Sequence, residues 1–215
     1  MPRIYEADLY GTGKPEVILE NPCLKAVISP CLGGRIVDVK AGERQFLYSA
    51  YPECRTSGFY NEYGGIEEFL DRPPGILWWL AWQPKIEEDR VSLCVKQEHI
   101  FLEKQISLDD MMPIVRIEYS FLNVGPNLVK PAFGIHAEIF IDNDVAANRY
   151  HIPVKDGVLS GGHEQVKKRY VRPSQGWCAC TGGSLLIAMF FPDKVLDGIE
   201  VYYPETGTHL NLSPL

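Results

Sequence analysis

The sequence predicts an all-β protein, an antiparallel sandwich or barrel. Short segments alternate apolar and polar residues, which is the pattern of a strand with one buried face. Turn-forming residues separate these segments, and none shows the 3.6-residue period of an amphipathic helix. The chain has 215 residues, including 19 Gly and 16 Pro, and no linker, internal repeat or low-complexity segment divides it. We therefore expect residues 1–215 to form a single domain.

Five strands are predicted in the first fifty residues, and turn-forming residues separate them. In the third of these strands, Leu24, Ala26 and Ile28 would share one face, and Pro30 ends the segment. A Gly-Gly pair before Arg35 opens the next strand, and a short hairpin loop follows it. The five predicted strands cover residues 4–10, 16–20, 24–29, 35–40 and 45–49.

Residues 50–84 form a long segment that is rich in turn formers and in aromatic residues. A long loop of this kind is more often functional than idle, and aromatic rings stack on the apolar faces of sugars as well as on one another. The alternative is a local aromatic cluster that covers an open end of the sheet. The aromatic residues in question are Tyr51, Phe59, Tyr60, Tyr63, Phe69, Trp78, Trp79 and Trp82.

Further strands follow this segment. In one of them Val115, Ile117 and Tyr119 would share one face, and Arg116 and Glu118 the other. Short strands broken by turn residues in this way are typical of an antiparallel sandwich or barrel. The strands predicted here cover residues 85–89, 90–98, 100–108, 114–123, 150–154, 177–181, 184–190, 198–203 and 208–215.

One more strand lies within residues 130–142, and it carries a histidine and a glutamate in an otherwise apolar run. Because side chains alternate along a strand, His136 and Glu138 would share one face, with Ile135 and Ala137 on the other. Two ionisable groups in this position are either a structural pair satisfied by hydrogen bonds or part of a pocket with a general acid. The strand by itself leaves both interpretations open.

Charge and composition exclude several classes of partner. The 21 basic and 28 acidic residues give a net charge of −7 without a basic stripe, so we expect no nucleic acid partner. No segment approaches the roughly 18 to 20 apolar residues of a membrane span, so no membrane partner is expected. The first twenty residues predict no secretory signal. A cytoplasmic location and reduced thiols at all six cysteines are therefore expected.

Several segments, taken in order, resemble the galactose mutarotase-like family, the aldose 1-epimerases and their relatives. A Gly-Gly-Arg turn with its returning strand resembles the opening hairpin of the family, and later segments resemble its glycine-rich loop and paired central strands. The strand that contains His136 resembles the one that carries the catalytic histidine. The resembling segments are residues 32–36, 46–48, 64–66 with Phe69, 106–108, 117–123 and 131–140. The resemblance implies a large antiparallel supersandwich with a sugar-binding cleft.

The resemblance also implies a reaction, the interconversion of sugar anomers by general acid-base catalysis. In the family, a glutamate takes the proton of the anomeric hydroxyl while a histidine protonates the ring oxygen. His136 matches the histidine. Two positions depart from the family pattern: Pro74 stands where the hexose-phosphate branch has a second histidine, and Ser213 stands where the family has its catalytic glutamate. In that branch an arginine also stands at the position of Trp78, whereas Trp82 lies at the expected spacing.

Two hypotheses for function follow from this resemblance. The first is a sugar epimerase in which His136 is the acid and a relocated carboxylate is the base, with Glu205 taken as the base. The second is a sugar-binding or regulatory protein that keeps the cleft and lacks the base. The carboxylates considered as bases are Glu67, Glu68, Glu138, Glu200 and Glu205. The residues predicted to bind the sugar are Arg35, Glu67, Phe69, Trp78, Trp82 and Glu138.

A metal site is a third hypothesis, in which His136, Glu138 and His99 or His163 would be ligands. No metal motif of fixed spacing supports it, so no metal and no cofactor are predicted. The expected partner is a small-molecule sugar, and a homodimer is left open. Because phosphate is usually clamped by arginine or lysine, the scarcity of clustered arginines makes a phosphorylated sugar less attractive.

Overall fold

Antiparallel β-strands form nearly all of the regular structure in the computed structural model, which confirms the predicted all-β class. The two helices found among the described residues are single 3₁₀ turns, Ile76–Trp78 and Val145–Ala147. No helix in this part of the chain has the length and apolar character needed to span a membrane. The structure describes residues 1–57, 60–71, 75–128, 132–141, 144–163, 167–192, 196–204 and 209–215.

One large sheet of ten strands organises the molecule, and its central strands carry the candidate site. Nine of its strands follow one another in the order β1-β2-β3-β4-β8-β13-β20-β19-β16, and β5 pairs with β4 at the side. These strands are β1 (Arg3–Ala7), β2 (Glu16–Glu20), β3 (Lys25–Ser29), β4 (Arg35–Ala41), β5 (Arg44–Gln45), β8 (Ile66–Leu70), β13 (Phe133–Ile139), β16 (Lys168–Val171), β19 (Ile199–Tyr202) and β20 (Leu210–Pro214).

Two four-stranded sheets and one small hairpin complete the described strands. The first sheet has the order β12-β11-β10-β9, and the second has the order β15-β14-β17-β18. The hairpin pairs β6 (Arg55–Ser57) with β7 (Tyr60–Glu62). The strands of the two sheets are β9 (Gln83–Ile86), β10 (Val91–Gln97), β11 (Ile100–Leu108), β12 (Val115–Asn123), β14 (Arg149–Val154), β15 (Gly157–Gly162), β17 (Trp177–Gly182) and β18 (Leu185–Phe190).

The hydrophobic core lies against one face of the ten-stranded sheet, which we call the inner face. Alternate residues of its strands, such as Ile28, Ile36, Ala137 and Leu212, are buried together with residues of β10, β11, β14 and β17. Burying each such aliphatic side chain contributes about 1.5–3 kcal/mol. The apolar residues of the alternating pattern therefore face the core.

The opposite, outer face of the same sheet carries a row of polar side chains across its centre. Glu67 on β8 lies opposite His136 on β13, and Ile36, which is next to Arg35, lies opposite Ile66. On the other side of β13, Ala137 lies opposite Leu212 of β20, so His136 and Ser213 are cross-strand neighbours. The register thus brings Arg35, Glu67, His136 and Ser213 into one row.

Most predicted strands agree with the observed ones, but two segments differ: the segment before residue 87, and residues 155–172, where no strand was predicted and β15 and β16 form. The returning strand expected over residues 45–49 is reduced to the two residues of β5, followed by isolated bridges at Leu47 and Ser49. Residues 50–84, expected as a loop, contain β6, β7 and the central strand β8. The expectation of one domain over residues 1–215 stays a prediction.

Candidate active site

His136 lies near the middle of β13, on the outer face of the large sheet, and is only 6% exposed. Its Nδ1 lies 3.1 Å from the hydroxyl oxygen of Ser213, and its Nε2 lies 3.5 Å from Oε1 of Glu138. Both contacts follow from the sheet, since Ser213 is a cross-strand neighbour and Glu138 is two residues along the same strand. The residue standing in place of the catalytic glutamate of the family is therefore in contact with the histidine.

Glu138 is fully buried and lies between two imidazoles. Its Oε1 faces His136, and its Oε2 lies 3.3 Å from Nε2 of His209. The ring of His209 stacks on Tyr48, with 4.7 Å between the ring centroids. His209, Asn211 and Ser213 alternate with Leu210 and Leu212, and this period-two pattern in the sequence is a signal that could have identified His209.

Arg35 and Glu67 form a buried ion pair beside His136. The guanidinium contacts Oε2 of Glu67, and both side chains are 1% exposed. Arg35 also donates to the carbonyl of Gly64 over 3.4 Å, and its guanidinium carbon lies over the rings of Tyr63 and Trp78, 5.4 Å and 6.0 Å from their centroids. These contacts hold the positive charge against the carboxylate in a site with little water.

Trp78 and Phe69 cover the row from the solvent side. The Trp78 ring lies 5.8 Å from the His136 ring, at the end of the 3₁₀ turn Ile76–Trp78. That turn is tied to the β3–β4 connection by hydrogen bonds from Gly33 to Leu80 and from Trp82 to Pro30. Phe69 lies on the same face as Glu67, and its ring occupies the space that a side chain at Gly134 would need.

These residues form one buried acid-base group, which we call the His136 cluster: Arg35, Glu67, His136, Glu138, His209 and Ser213. One ligand atom from each of Glu67, His136 and Glu138 lies within 4.8 Å of the other two. Two carboxylates and an imidazole are ligands that transition metals accept. The Arg35 guanidinium supplies a positive charge at the same carboxylate and so disfavours a cation there. The absence of a metal stays a prediction.

Glu68 points to the inner face, away from the His136 cluster. Its two oxygens each lie 2.8 Å from Nζ of Lys104 on β11, and one accepts the hydroxyl of Tyr119 over 2.5 Å. Burial lowers the pKa of the Lys104 ammonium, and the Glu68 carboxylate opposes that shift. Burial, followed by the charge of Glu68, raises the pKa of Tyr119. Trp82 belongs to this group, since Lys104 lies 5.1 Å from its ring centroid.

The residues predicted from the sequence thus separate into three groups. Arg35, Glu67, Phe69, Trp78 and Glu138 surround His136, whereas Trp82 is buried in the core and Glu68 faces it. Glu200 lies opposite Ser213 but pairs with Lys168, with 2.9 Å between Oε2 and Nζ. Glu205 and Pro74 lie outside the described residues, so the assignment of Glu205 as the base stays a prediction.

An open cleft beside His136 was expected, but the described residues enclose the ring. Neither of the two hollows described among these residues, one at residues 9–10, 25–27 and 38–40 and one at residues 43–45, 140–141 and 182–185, includes a member of the His136 cluster. Among the described residues, Trp79 is an exposed aromatic side chain close to Glu67 in sequence: it is 43% exposed, and its ring lies edge-on to Tyr63 with 6.3 Å between the centroids. Tyr63 in turn packs on Arg35 and lies 6.4 Å from Tyr51. We call Tyr51, Tyr63 and Trp79 the aromatic rim.

The fold is that of the galactose mutarotase-like proteins, as comparison with solved structures shows. A candidate aldose 1-epimerase from Klebsiella pneumoniae aligns over 98% of this chain and 74% of its own, with a TM-score of 0.73 and 9% identity. A galactose mutarotase-like protein from Clostridium acetobutylicum aligns over 99% of this chain and 88% of its own, with a TM-score of 0.63 and 11% identity.

The fold also occurs within a longer protein. A TPR-domain containing protein from Parabacteroides distasonis aligns over 94% of this chain with a TM-score of 0.75 and 15% identity, and this chain spans 42% of its length. No protein-family model matches the sequence. A search of curated proteins finds no match either. At these identities the likeness establishes the fold, and function has to be argued from the residues.

Proposed function

We propose that this protein binds a small-molecule sugar at the aromatic rim without converting it. The observation that carries the proposal is the burial of His136 beneath Trp78, with Ser213 in contact with its Nδ1. The sugar-related fold of the structural neighbours supports the choice of ligand. The function needs no cofactor. A homodimer and a cytoplasmic location stay predictions.

The aromatic rim has the chemistry that a sugar requires. The apolar C–H face of a pyranose packs on an aromatic ring, and its hydroxyls need polar partners at the edge of that ring. Trp79 offers an exposed face, and the Tyr51 hydroxyl donates to Glu16 over 2.6 Å. Below the rim, Arg35 fixes the position of Tyr63 through its contact with the ring. A preorganised aromatic surface of this kind lowers the entropic cost of binding.

Turnover is disfavoured by the spacing and burial of the ionisable groups. A sugar ring must fit between acid and base, with each group in hydrogen-bond reach of it. Here the Nε2 of His136 and Oε1 of Glu138 are only 3.5 Å apart, which leaves no room for a ring between them. Ser213 cannot replace a glutamate as base near neutral pH, because a hydroxyl is a far weaker base than a carboxylate.

Anomer interconversion is the second candidate, and one observation favours it. Glu67, His136 and Glu138 bring two carboxylates and an imidazole together within 4.8 Å, which is a complete set of acid and base groups. In this reaction a carboxylate would accept the anomeric proton while the imidazole protonates the ring oxygen, and reclosure would return both protons. The reaction requires Trp78 to move away from His136.

Titration of the protein with glucose and galactose, followed by calorimetry and NMR, tests the binding proposal. We expect binding by the wild type and about tenfold weaker binding by Trp79→Ala, which removes the exposed ring face. Tyr170→Ala is the matched control, since Tyr170 is an exposed aromatic residue on β16, several strands away from the rim. Equal losses in both variants, or no binding of any sugar in a wider panel, would contradict the proposal.

Polarimetry of freshly dissolved sugars separates the two candidates. We expect mutarotation at the uncatalysed rate with wild type and with His136→Ala. A rate gain that His136→Ala abolishes would replace the binding proposal with the second candidate. His151→Ala is the control for that measurement, because His151 lies on β14 and contacts Ser160 and Thr181, remote from the cluster.

A further inference from the structure

A hollow of about 180 Å³ opens on the outer face of the large sheet, at the end formed by β3 and β4. None of its residues belongs to the His136 cluster or to the aromatic rim. Val27 lies between the core residues Ala26 and Ile28, and Lys40 follows Val39, so their side chains point to the outer face. The hollow is lined by Leu9, Tyr10, Lys25, Val27, Asp38 and Lys40.

Asp38 is the most constrained polar group of this hollow. Its side chain is 5% exposed, and its Oδ2 lies 2.9 Å from Nζ of Lys40. The other oxygen, Oδ1, is buried and accepts no hydrogen bond of good geometry, although the backbone amide of Val39 lies close enough to the carboxylate to oppose the rise in its pKa. A buried carboxylate oxygen without a donor is costly, and burial accordingly raises the pKa of Asp38. A hydroxyl donated by a ligand would satisfy this oxygen.

Two lysines face each other across the hollow. Lys25 on β3 lies directly opposite Lys40 on β4, an arrangement in which like charges destabilise a strand pair. Lys40 is paired with Asp38, and the charge of Lys25 also lowers the pKa of Asp38, although among the described residues no carboxylate lies within ion-pair distance of Lys25. Its neighbour on the other side, Glu20, is paired with Arg3 over 3.1 Å. An anion placed between the two lysines would turn this repulsion into attraction.

Tyr10 provides the apolar wall of the hollow together with Leu9 and Val27. Its ring lies edge-on to Tyr51, with 4.9 Å between the centroids. A tyrosine hydroxyl is protonated at neutral pH and can donate, and burial raises the pKa of Tyr10 further, to about 12. The hollow therefore combines one acceptor, two cationic donors, a neutral donor and an apolar wall.

We propose that this hollow binds a hydroxylated carboxylate of the uronic acid class. The carboxylate of the ligand lies between the ammonium groups of Lys25 and Lys40, and one of its hydroxyls donates to Oδ1 of Asp38. The ring of the ligand packs on Tyr10 and Val27. Because Tyr10 packs against Tyr51 of the aromatic rim, the titrations are made in the Trp79→Ala variant, which weakens the proposed rim site, so that either proposal can fail without the other.

Titration with glucuronate, glucose and acetate, observed by calorimetry and NMR, tests this proposal. We expect glucuronate to bind about tenfold or more tightly than either glucose, which lacks the charge, or acetate, which lacks the hydroxyls. Lys25→Met should weaken glucuronate binding by about tenfold, because it removes one of the two ammonium groups that would hold the ligand carboxylate. Lys85→Met is the matched control, since Lys85 is an exposed lysine on β9 paired with Glu87.

Asp38→Asn should affect the binding of the two anions differently. Loss of the negative charge should strengthen acetate binding, whereas loss of the charged hydroxyl acceptor should weaken glucuronate relative to acetate. Equal effects on both anions would overturn the role of Asp38, and unchanged glucuronate affinity in Lys25→Met would overturn the site. If glucuronate binds no more tightly than acetate, the hollow is a non-selective anion contact, and this result also contradicts the proposal. The Lys25→Met result stands by itself if Asp38→Asn fails to fold.

Discussion

Two adjacent glutamates on β8 have opposite environments, and the difference arises from the period of the strand. Glu67 points to the outer face and pairs with Arg35, whereas Glu68 points into the core and pairs with Lys104. Each carboxylate is 1% exposed, so each requires a cation to offset the loss of water. A buried pair of this kind adds little net stability, but removing one partner leaves a buried charge without compensation.

Lys104→Met tests this argument at the residue scale. Methionine fills a similar volume but leaves the Glu68 carboxylate with the Tyr119 hydroxyl as its remaining polar partner on the facing sheet. We expect the free energy of unfolding to fall by about 3–5 kcal/mol, measured by urea denaturation at pH 7.

The double variant Lys104→Met with Glu68→Gln supplies the control. Glutamine is neutral and still accepts the Tyr119 hydroxyl, so the double variant should recover a large part of the loss. If the losses of stability in the single variants Lys104→Met and Glu68→Gln simply add in the double variant, the ammonium and the carboxylate do not interact, contrary to the 2.8 Å contacts.

At the scale of single elements, β17 carries two thiols on the face that is buried in the core. Cys178 and Cys180 are two residues apart on the strand, and both lie in the hydrophobic core. Burial raises the pKa of each thiol from an ordinary value of 9.0 to about 12, and the proximity of Cys180 adds to the shift at Cys178. The native state therefore retains two protons that the unfolded chain releases.

The stability of the protein should consequently depend on pH in the alkaline range. Between pH 9 and pH 12 the unfolded thiols are ionised while the native thiols are still protonated. Stability is fully present below pH 9 and falls as the pH rises, by roughly 1.4 kcal/mol per pH unit for each thiol. Urea denaturation at several pH values should show a shallower fall in the variant with Cys178→Ala and Cys180→Ala.

Cys31→Ala is the control for this comparison, because Cys31 lies at the surface. It should keep the wild-type pH dependence. If the double alanine variant also keeps it, the thiols do not govern alkaline stability. Only the dependence on pH is compared, since the cavities left by alanine lower stability at every pH.

The strands show what a sequence can and cannot predict. The strand predicted over residues 100–108 agrees with β11 at both ends, because its alternation faces a core on one side only. The central strand β8 was missed, since Glu67 and Glu68 interrupt any apolar pattern. The charge of Glu68 is tolerated because of Lys104, which is 36 residues away in the chain. A local pattern carries no information about such a distant partner.

Part of the membership of the candidate site could be predicted from the sequence, but not its depth. The period of the strand placed His136 and Glu138 on one face, and the structure adds His209, directly before β20, and the contact of Ser213 on β20 with His136. The burial of His136 depends on Trp78, which is carried by a 3₁₀ turn held by hydrogen bonds to the β3–β4 connection. Packing between elements that are distant in sequence determines whether a histidine lies in a cleft or beneath a cover.

At the scale of the whole molecule, one side chain links the ten-stranded sheet to the sheet of β9–β12. Asn21 lies in the turn between β2 and β3, where its Oδ1 accepts from the amides of Cys23 and Leu24. Its Nδ2 donates to the carbonyls of Asp109 and Met112 in the turn between β11 and β12, over 2.6 Å and 3.0 Å. One amide therefore shapes its own turn and holds the second turn against it.

Asn21→Asp separates these two roles, because a carboxylate keeps the acceptor for the local turn and loses the donor to the other sheet. The carboxylate also faces two carbonyl oxygens, so we expect the free energy of unfolding to fall by about 2–4 kcal/mol.

Asn123→Asp is the matched control. Asn123 accepts from Gly125 and donates to Asn127, but both contacts stay within one exposed turn. The free energy of unfolding should fall by less than about 1 kcal/mol in Asn123→Asp, since water can replace the lost donor. Urea denaturation compares the two variants, and hydrogen exchange at residues 109–112 should quicken in Asn21→Asp alone. Equal losses would mean that the amide bridge of Asn21 makes no measurable contribution to holding the two sheets together.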